Sequence, residues 1–115
     1  MTESTFIAVA DATLRAIGEA LDAAIDASDV DADWSLNVGI LEIDCGIHGK
    51  VIVNRHVVNR EIWVAAKAGG YHFRAEGGQW RDTRSAETLP VTLARLLHEQ
   101  AGIDIDLSRL PLVTL

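Results

Sequence analysis

Apolar and polar positions follow a helical period at the start of the chain. Between residues 6 and 25 the apolar residues are spaced by threes and fours, at Phe6, Ala10, Leu14, Ile17, Leu21 and Ile25. This spacing predicts an amphipathic helix, for which Thr2 or Ser4 is the N-cap.

Shorter runs follow, in which apolar residues alternate with polar ones or stand together. They lie at about 30–37, 40–45, 50–55, 60–67, 71–75 and 79–82. Glycines between these runs predict tight turns, and the simplest sheet that joins them is an antiparallel meander.

A second amphipathic helix is predicted near the end of the chain, where Leu89, Leu93, Leu96 and Leu97 share one face. Ser85 or Thr88 is its expected N-cap, and Gly102 is its expected end. The order helix, strands, helix predicts an α+β fold, a two-layer α-β sandwich with both helices on one face of an antiparallel sheet of about five to six strands. The other face of the sheet is then left to water or to a partner.

The residues after Gly102 are too apolar for a free end. Ile103, Ile105 and Leu107 alternate with acids, and further apolar residues continue to Leu115. Because each fully buried side chain of this size contributes about 1.5–3 kcal/mol, we expect this tail to pack back along the helices.

The composition is typical of one folded domain, residues 1–115, with 49% hydrophobic residues. No apolar stretch approaches the roughly 18 residues that cross a bilayer, and the N-terminus does not resemble a secretion signal. Cys45 is the single cysteine, so an internal disulfide is impossible. We therefore expect a cytoplasmic protein without a membrane partner.

Charge is distributed unevenly along the chain. Residues 1–49 carry ten acids and one base, whereas residues 50–84 carry seven bases and three acids. One acidic and one basic surface on a single domain indicate a binding protein. The formal net charge of −7 disfavours nucleic acid as a partner.

Acidic residues cluster on one side of the first helix and just after it. We call this set the acidic ridge: Asp11, Glu19, Asp22, Asp26, Asp29, Asp31 and Asp33. The helical members fall in one arc, where Arg15 is expected to pair with Asp11 and Glu19, and the last three are expected on one side of the first strand. Carboxylates suit iron, Mn²⁺ or Ca²⁺, so the ridge is either a weak, salt-sensitive cation site or a solvated acidic face.

Trp63 is predicted to lie on the open face of the sheet. If Ile62 and Val64 face the core, Glu61, Trp63 and Lys67 face outward. An exposed tryptophan is typical of an interface, although coverage by loops or by Arg and Lys stems is the alternative. The basic residues expected around the indole are Arg55, Arg60, Lys67 and Arg74.

The other candidate residues carry less weight. His72 is expected on the same open face, paired across strands rather than bound to a metal, and His56 is expected in a loop. Cys45 is expected to be a small buried hydrophobe. No nucleophile elbow, phosphate-binding loop or dinucleotide fingerprint is present, so we expect a protein that is not an enzyme.

Three segments together resemble the frataxin family, in particular its bacterial branch. They are residues 51–55 (VIVNR), 62–67 (IWVAAK) and 69–73 (GGYHF). The resemblance extends from about residue 4 to residue 102. It implies the sandwich described above, weak iron binding (Fe²⁺ or Fe³⁺) by the acidic ridge, and docking onto the cysteine desulfurase and the iron–sulfur scaffold protein. The sheet surface implied for docking comprises Asn54, Arg55 and Trp63.

The chain departs from the family pattern at two places. Gly18 and Ala23 stand beside Glu19 and Asp22 where bacterial members often have a further acid, so the ridge is thinner. Glu61 also stands where a glutamine is common, two residues before the tryptophan.

The leading hypothesis is an iron-binding regulator of iron–sulfur cluster assembly, with iron donation as a further role. We expect a monomer, with iron-dependent oligomers as an alternative. A metal-independent protein-interaction module is the second hypothesis, and a ferroxidase or iron-storage protein is the third.

Overall fold

The computed structural model describes residues 1–113, so Leu115 of the predicted tail lies outside the described residues. Within these residues, two helices and six strands follow one another. They are α1 (Glu3–Asp26), β1 (Asp33–Asn37), β2 (Ile40–Asp44), β3 (Lys50–His56), β4 (Glu61–Ala66), β5 (Gly69–Glu76), β6 (Gln79–Asp82) and α2 (Leu89–Ala101). A short 3₁₀ turn, Gly46–His48, joins β2 to β3.

The strands form one antiparallel sheet in sequential order, β1 to β6. Both helices cover the same face of this sheet, which confirms the predicted two-layer sandwich. On that face Leu41, Ile43, Val53, Ile62 and Phe73 are fully buried. Successive side chains of a strand point to opposite faces, so the intervening residues form an open face, which neither helix of residues 1–113 covers.

Local chemistry explains where both helices begin and where α2 ends. Thr2 caps α1, and its hydroxyl accepts a hydrogen bond from the backbone N–H of Thr5. Thr88, rather than Ser85, is the N-cap of α2. Gly102 ends α2 with a φ of 68°, a left-handed conformation that glycine adopts without a Cβ clash.

Two further features close the core on the helical side. The Trp80 ring is buried, meets Phe6 edge-on, and donates its Nε1–H to the Thr13 hydroxyl at 3.1 Å. In the tail, Ile103, Leu107 and Val113 are buried, which confirms that it packs back.

Candidate functional site

One exposed part of the acidic ridge lies on α1. Glu19, Asp22 and Asp26 are all exposed and are three or four residues apart, so they are neighbours on one helix face. Like charges at these spacings repel by a few tenths of a kcal/mol per pair. This part of the predicted ridge therefore exists as a connected negative strip.

Trp34 joins the ridge from the edge strand β1. Its indole Nε1–H donates a hydrogen bond of 2.8 Å to Oδ1 of Asp22. The ring lies directly over Gly18, where a Cβ would come within 2.7 Å of two ring carbons. The glycine at position 18 is therefore explained by the indole, which occupies the space that a side chain there would need.

Asp11 is separated from the rest of the strip by an ion pair. Its carboxylate accepts a hydrogen bond from Nη1 of Arg55 at 2.5 Å, and both side chains are partly buried. The expected partner, Arg15, forms no ion pair within residues 1–113, so that prediction was wrong. Arg55 has the same strand parity as Val51 and Val53, so it lies on the helix-covered side of the sheet and reaches α1.

The three acids after α1 do not share one side of a strand, contrary to expectation. The strand β1 begins only at Asp33, and Asp29 and Asp31 lie exposed in the preceding turn. Because Trp34 faces α1, Asp33 points to the opposite, open face, and its carboxylate accepts the backbone N–H of Trp34 at 2.8 Å. The acidic ridge is thus divided between the helix strip, the turn and the sheet edge.

The donor atoms of the ridge fit iron by type but do not enclose it. Carboxylate oxygens are suitable ligands for hard cations. Among residues 1–113, however, no three His, Cys, Asp or Glu side chains converge to hold a metal ion. The ridge can therefore attract a hydrated cation electrostatically, but it does not provide a closed coordination cage.

The open face of the sheet carries a column of three stacked rings. Trp63 on β4 lies between His56 on β3 and His72 on β5, with ring centroids 3.8 and 4.3 Å apart and nearly parallel planes. The two imidazoles cover both flat faces of the indole. Trp63 is therefore half-buried, whereas it was predicted to be largely exposed. His56 is the last residue of β3 and not part of a loop, which is a second correction.

Glu61 lies on the same face but is buried, with 3% of its surface exposed. It accepts hydrogen bonds from Trp63 Nε1 at 2.9 Å and from Arg74 Nη2 at 2.7 Å. Burial acts to raise the pKa of this carboxyl group, but the two hydrogen bonds and the charges of Arg74 and His72 outweigh it and lower the pKa. Glu61 therefore lies on the open face as predicted, but it is a buried, ionised and fully paired acid.

A shallow hollow of about 320 Å³ lies beside the ring column. Its floor is low because Ala65 and Gly70 are paired across β4 and β5 and have little or no side chain. Asn54, which is paired with Trp63 across β3 and β4, stands at its wall with Ile52. Of the predicted docking residues, Asn54 and Trp63 therefore lie together, whereas Arg55 lies behind the sheet.

The basic residues expected around the indole are mostly elsewhere. The Arg60 guanidinium donates to the carbonyl of Val57 in the β3–β4 turn, and the Lys67 side chain lies against Gly49. Of the four, only Arg74 is connected to Trp63, through its hydrogen bond to Glu61. The two histidines take the places that the prediction gave to arginine and lysine. The even spacing of Asn54 and His56 is the signal that could have placed His56 on the open face.

The remaining candidates are structural. Cys45 is buried at the end of β2, and burial together with nearby Asp44 raises the pKa of its thiol. Within residues 1–113, neither helix is long and apolar enough to cross a membrane.

Comparison with known proteins identifies this architecture. A family model described as a frataxin-like domain matches residues 1–103. The iron–sulfur cluster assembly protein CyaY of Dechloromonas aromatica is 48% identical over 103 residues, which cover 89% of this chain and 94% of the relative. The protein of the same name from Ralstonia nicotianae is 45% identical over 111 residues, covering 93% and 95%.

Solved structures agree with the fold. Frataxin from Psychromonas ingrahamii matches with a TM-score of 0.82 at 27% identity, covering 92% of this chain and 97% of that one. Trimeric yeast frataxin, described as complexed with ferrous, matches with a TM-score of 0.73 at 22% identity, over 82% and 86%.

The sandwich of two helices and a six-stranded antiparallel sheet matches the frataxin fold. The chain belongs to the frataxin family, and its bacterial relatives are named as iron–sulfur cluster assembly proteins.

Proposed function

We propose that this protein is a cytoplasmic, iron-binding regulator of iron–sulfur cluster assembly. It docks onto the cysteine desulfurase and the scaffold protein and catalyses no reaction itself. The observation that carries the proposal is the exposed strip of Glu19, Asp22 and Asp26 on α1 of a frataxin-family protein. Iron is a loosely held cargo or signal rather than a resident cofactor.

Electrostatics supports weak iron binding at this strip. Carboxylates three and four positions apart lie about 5–6 Å from one another at the Cβ level, so one hydrated cation can interact with two or three at once. Each such interaction is screened by solvent, and the affinity therefore falls as salt rises. Asp29 and Asp31, exposed in the turn after α1, extend the same field.

Two surfaces serve docking in this proposal. The acidic strip meets a basic region of the desulfurase, and the open face around Asn54 and Trp63 meets the scaffold. The ring column offers the partner the edge of the indole and of two imidazoles, since the faces of the indole are covered. The neighbouring hollow offers space for a partner side chain.

The double variant Asp22→Asn, Asp26→Asn tests the acidic strip. Two unit charges at about 6 Å from a divalent ion in water contribute about 2.8 kcal/mol, and physiological salt roughly halves this value, so their removal weakens binding by about an order of magnitude. We expect isothermal titration with Fe²⁺ under anaerobic conditions to show about tenfold weaker binding, and desulfurase binding to weaken as well. Relief of repulsion should also raise the fold stability slightly.

A matched control removes two exposed acids away from the ridge, by Glu76→Gln and Glu99→Gln. This control changes the net charge equally and should leave iron affinity within about twofold, because Coulomb attraction over that distance is screened. Equal losses in both double variants would mean that only the net charge matters, and the ridge would be removed from the proposal.

Trp63→Ala tests the open face independently. It should leave iron binding unchanged and weaken scaffold binding by at least about tenfold, as is typical of a buried aromatic anchor. A loss of iron affinity in this variant would contradict the separation of the two surfaces.

A metal-independent interaction module is favoured by one observation, the lack of three converging ligands among residues 1–113. Titration with Fe²⁺ at physiological salt separates the two functions, since only the regulator needs affinity that survives screening.

A further inference from the structure

Three groups from three strands determine the orientation of Trp63. His56 on β3 and His72 on β5 stack on its two faces, and Glu61 accepts its indole N–H. The stacking restricts the ring to one plane. The hydrogen bond fixes which edge of the indole points along the sheet and which edge points outward.

The acceptor of this hydrogen bond is itself held in place. Glu61 is directly paired with Arg74 across β4 and β5, and the guanidinium binds its second carboxylate oxygen at 2.7 Å. The side chain of Glu61 is 4% exposed, whereas that of Arg74 is 65% exposed. The arginine therefore balances the charge from the solvent side, while the glutamate stays buried beside Trp63.

A buried carboxylate adds little to fold stability by itself. Transferring it from water is costly, and apolar residues of similar size often replace such ion pairs with little loss. On a strand whose helix-covered side is wholly apolar, an ionised residue on the open side therefore indicates a requirement other than packing.

We propose that Glu61 is a positioning residue for docking: held by Arg74, it orients the Trp63 indole so that its outward edge is ready to meet the partner. This inference rests on the proposed docking of the open face onto the scaffold protein. A glutamine could accept the same N–H through its amide oxygen, whereas the glutamate adds the pair with Arg74.

The decisive comparison is between Glu61→Gln and Glu61→Leu in scaffold binding. The glutamine keeps a carbonyl oxygen for the indole, so binding should stay within about twofold of the wild type. Leucine removes the acceptor, and the loss of one ordering hydrogen bond should weaken binding about fivefold. Glu61→Thr gives a second variant without a long acceptor, in a residue that suits a strand, if leucine impairs folding.

The indole N–H resonance of Trp63 provides a readout that a merely structural role would not move. In ¹⁵N-labelled protein we expect this resonance to shift and to exchange faster with water in Glu61→Leu, and to stay near its original position in Glu61→Gln. The resonance can be assigned by its loss in Trp63→Phe.

The outcomes distinguish this inference from the function on which it rests. If Trp63→Ala leaves scaffold binding intact, the docking proposal fails. If Trp63→Ala weakens binding but Glu61→Leu and Glu61→Thr bind like the wild type, Glu61 does not position the indole. If Glu61→Gln loses as much as Glu61→Leu, the charge rather than the acceptor matters, and the inference is also overturned.

Discussion

Substituting Gly18 by alanine should destabilise this protein, although the same change stabilises most helices. In an exposed helix interior, Gly→Ala gains about 1 kcal/mol, because alanine restricts the unfolded chain and favours the helix. Here the new Cβ would lie 2.7 Å from two carbons of the Trp34 ring, well inside van der Waals contact.

The cost comes from displacing the indole. Overpacking of this kind typically costs about 1–3 kcal/mol. A ring that moves away from α1 also loses the 2.8 Å hydrogen bond to Asp22, which contributes about 1 kcal/mol. Set against the gain of about 1 kcal/mol in helix propensity, the expected net effect is a loss of about 1–3 kcal/mol in the free energy of unfolding.

Urea unfolding followed by circular dichroism measures this quantity, and a second background gives the control. In Trp34→Val the ring atoms above position 18 are absent, so Gly18→Ala should gain about 0.5–1 kcal/mol. The sign of the effect therefore reverses between the two backgrounds. An equal gain in both would refute the placement of Trp34 across the ridge.

Three further predictions follow from other contacts in the structure. Deleting residues 103–115 should lower the melting temperature by about 15 °C or more in a calorimetric scan, because it removes three buried apolar side chains that contribute about 1.5–3 kcal/mol each. An unchanged melting temperature would mean that the tail contributes nothing to stability. Arg55→Met should lower the free energy of unfolding, measured with urea, by about 1 kcal/mol, and by much less in the Asp11→Asn background. Additive losses from the two substitutions would contradict the ion pair. The pKa of Glu61 is lowered on folding, so its ionised form contributes stability above about pH 4.5 that is lost as the pH falls further. The difference in free energy of unfolding between wild type and Glu61→Gln should therefore be constant near neutral pH and shrink in acid. A difference that grows in acid would contradict the assignment.

The secondary structure was predictable because burial is periodic. The spacing of Phe6, Ala10 and Leu14 follows the helical repeat, and all three are buried on the inner side of α1. The six strands were predicted for the same reason, with limits that differ by up to three residues. Thr88 and Gly102 were predictable because their roles at helix ends depend on local backbone chemistry.

The errors at the candidate site arise from long side chains that reach across the tertiary structure. Arg55 was assigned to the open face, but it has the parity of the buried valines on β3 and extends to Asp11 on α1. Strand parity correctly placed Glu61 on the open face, but it did not predict that the residue would be buried and paired with Arg74 across the sheet. The spacing of residues in the sequence indicates neither of these two ion pairs.

The contact between Trp34 and Asp22 could not have been inferred from the sequence either. It requires the crossing of α1 over the edge strand to be known, and the sequence offered only an unexplained glycine in a helix. The ring column around Trp63 depends likewise on the register of three strands.

An NMR titration with Fe²⁺ under anaerobic conditions at physiological salt tests the account most directly. Paramagnetic broadening should appear first at the amides of residues 19–33 and at the Trp34 indole, which is bonded to Asp22. The amides of Asn54, Trp63 and His72 should remain sharp at the same iron concentration. Broadening that begins at the ring column or in α2, with residues 19–33 unaffected, would contradict iron capture by the acidic strip.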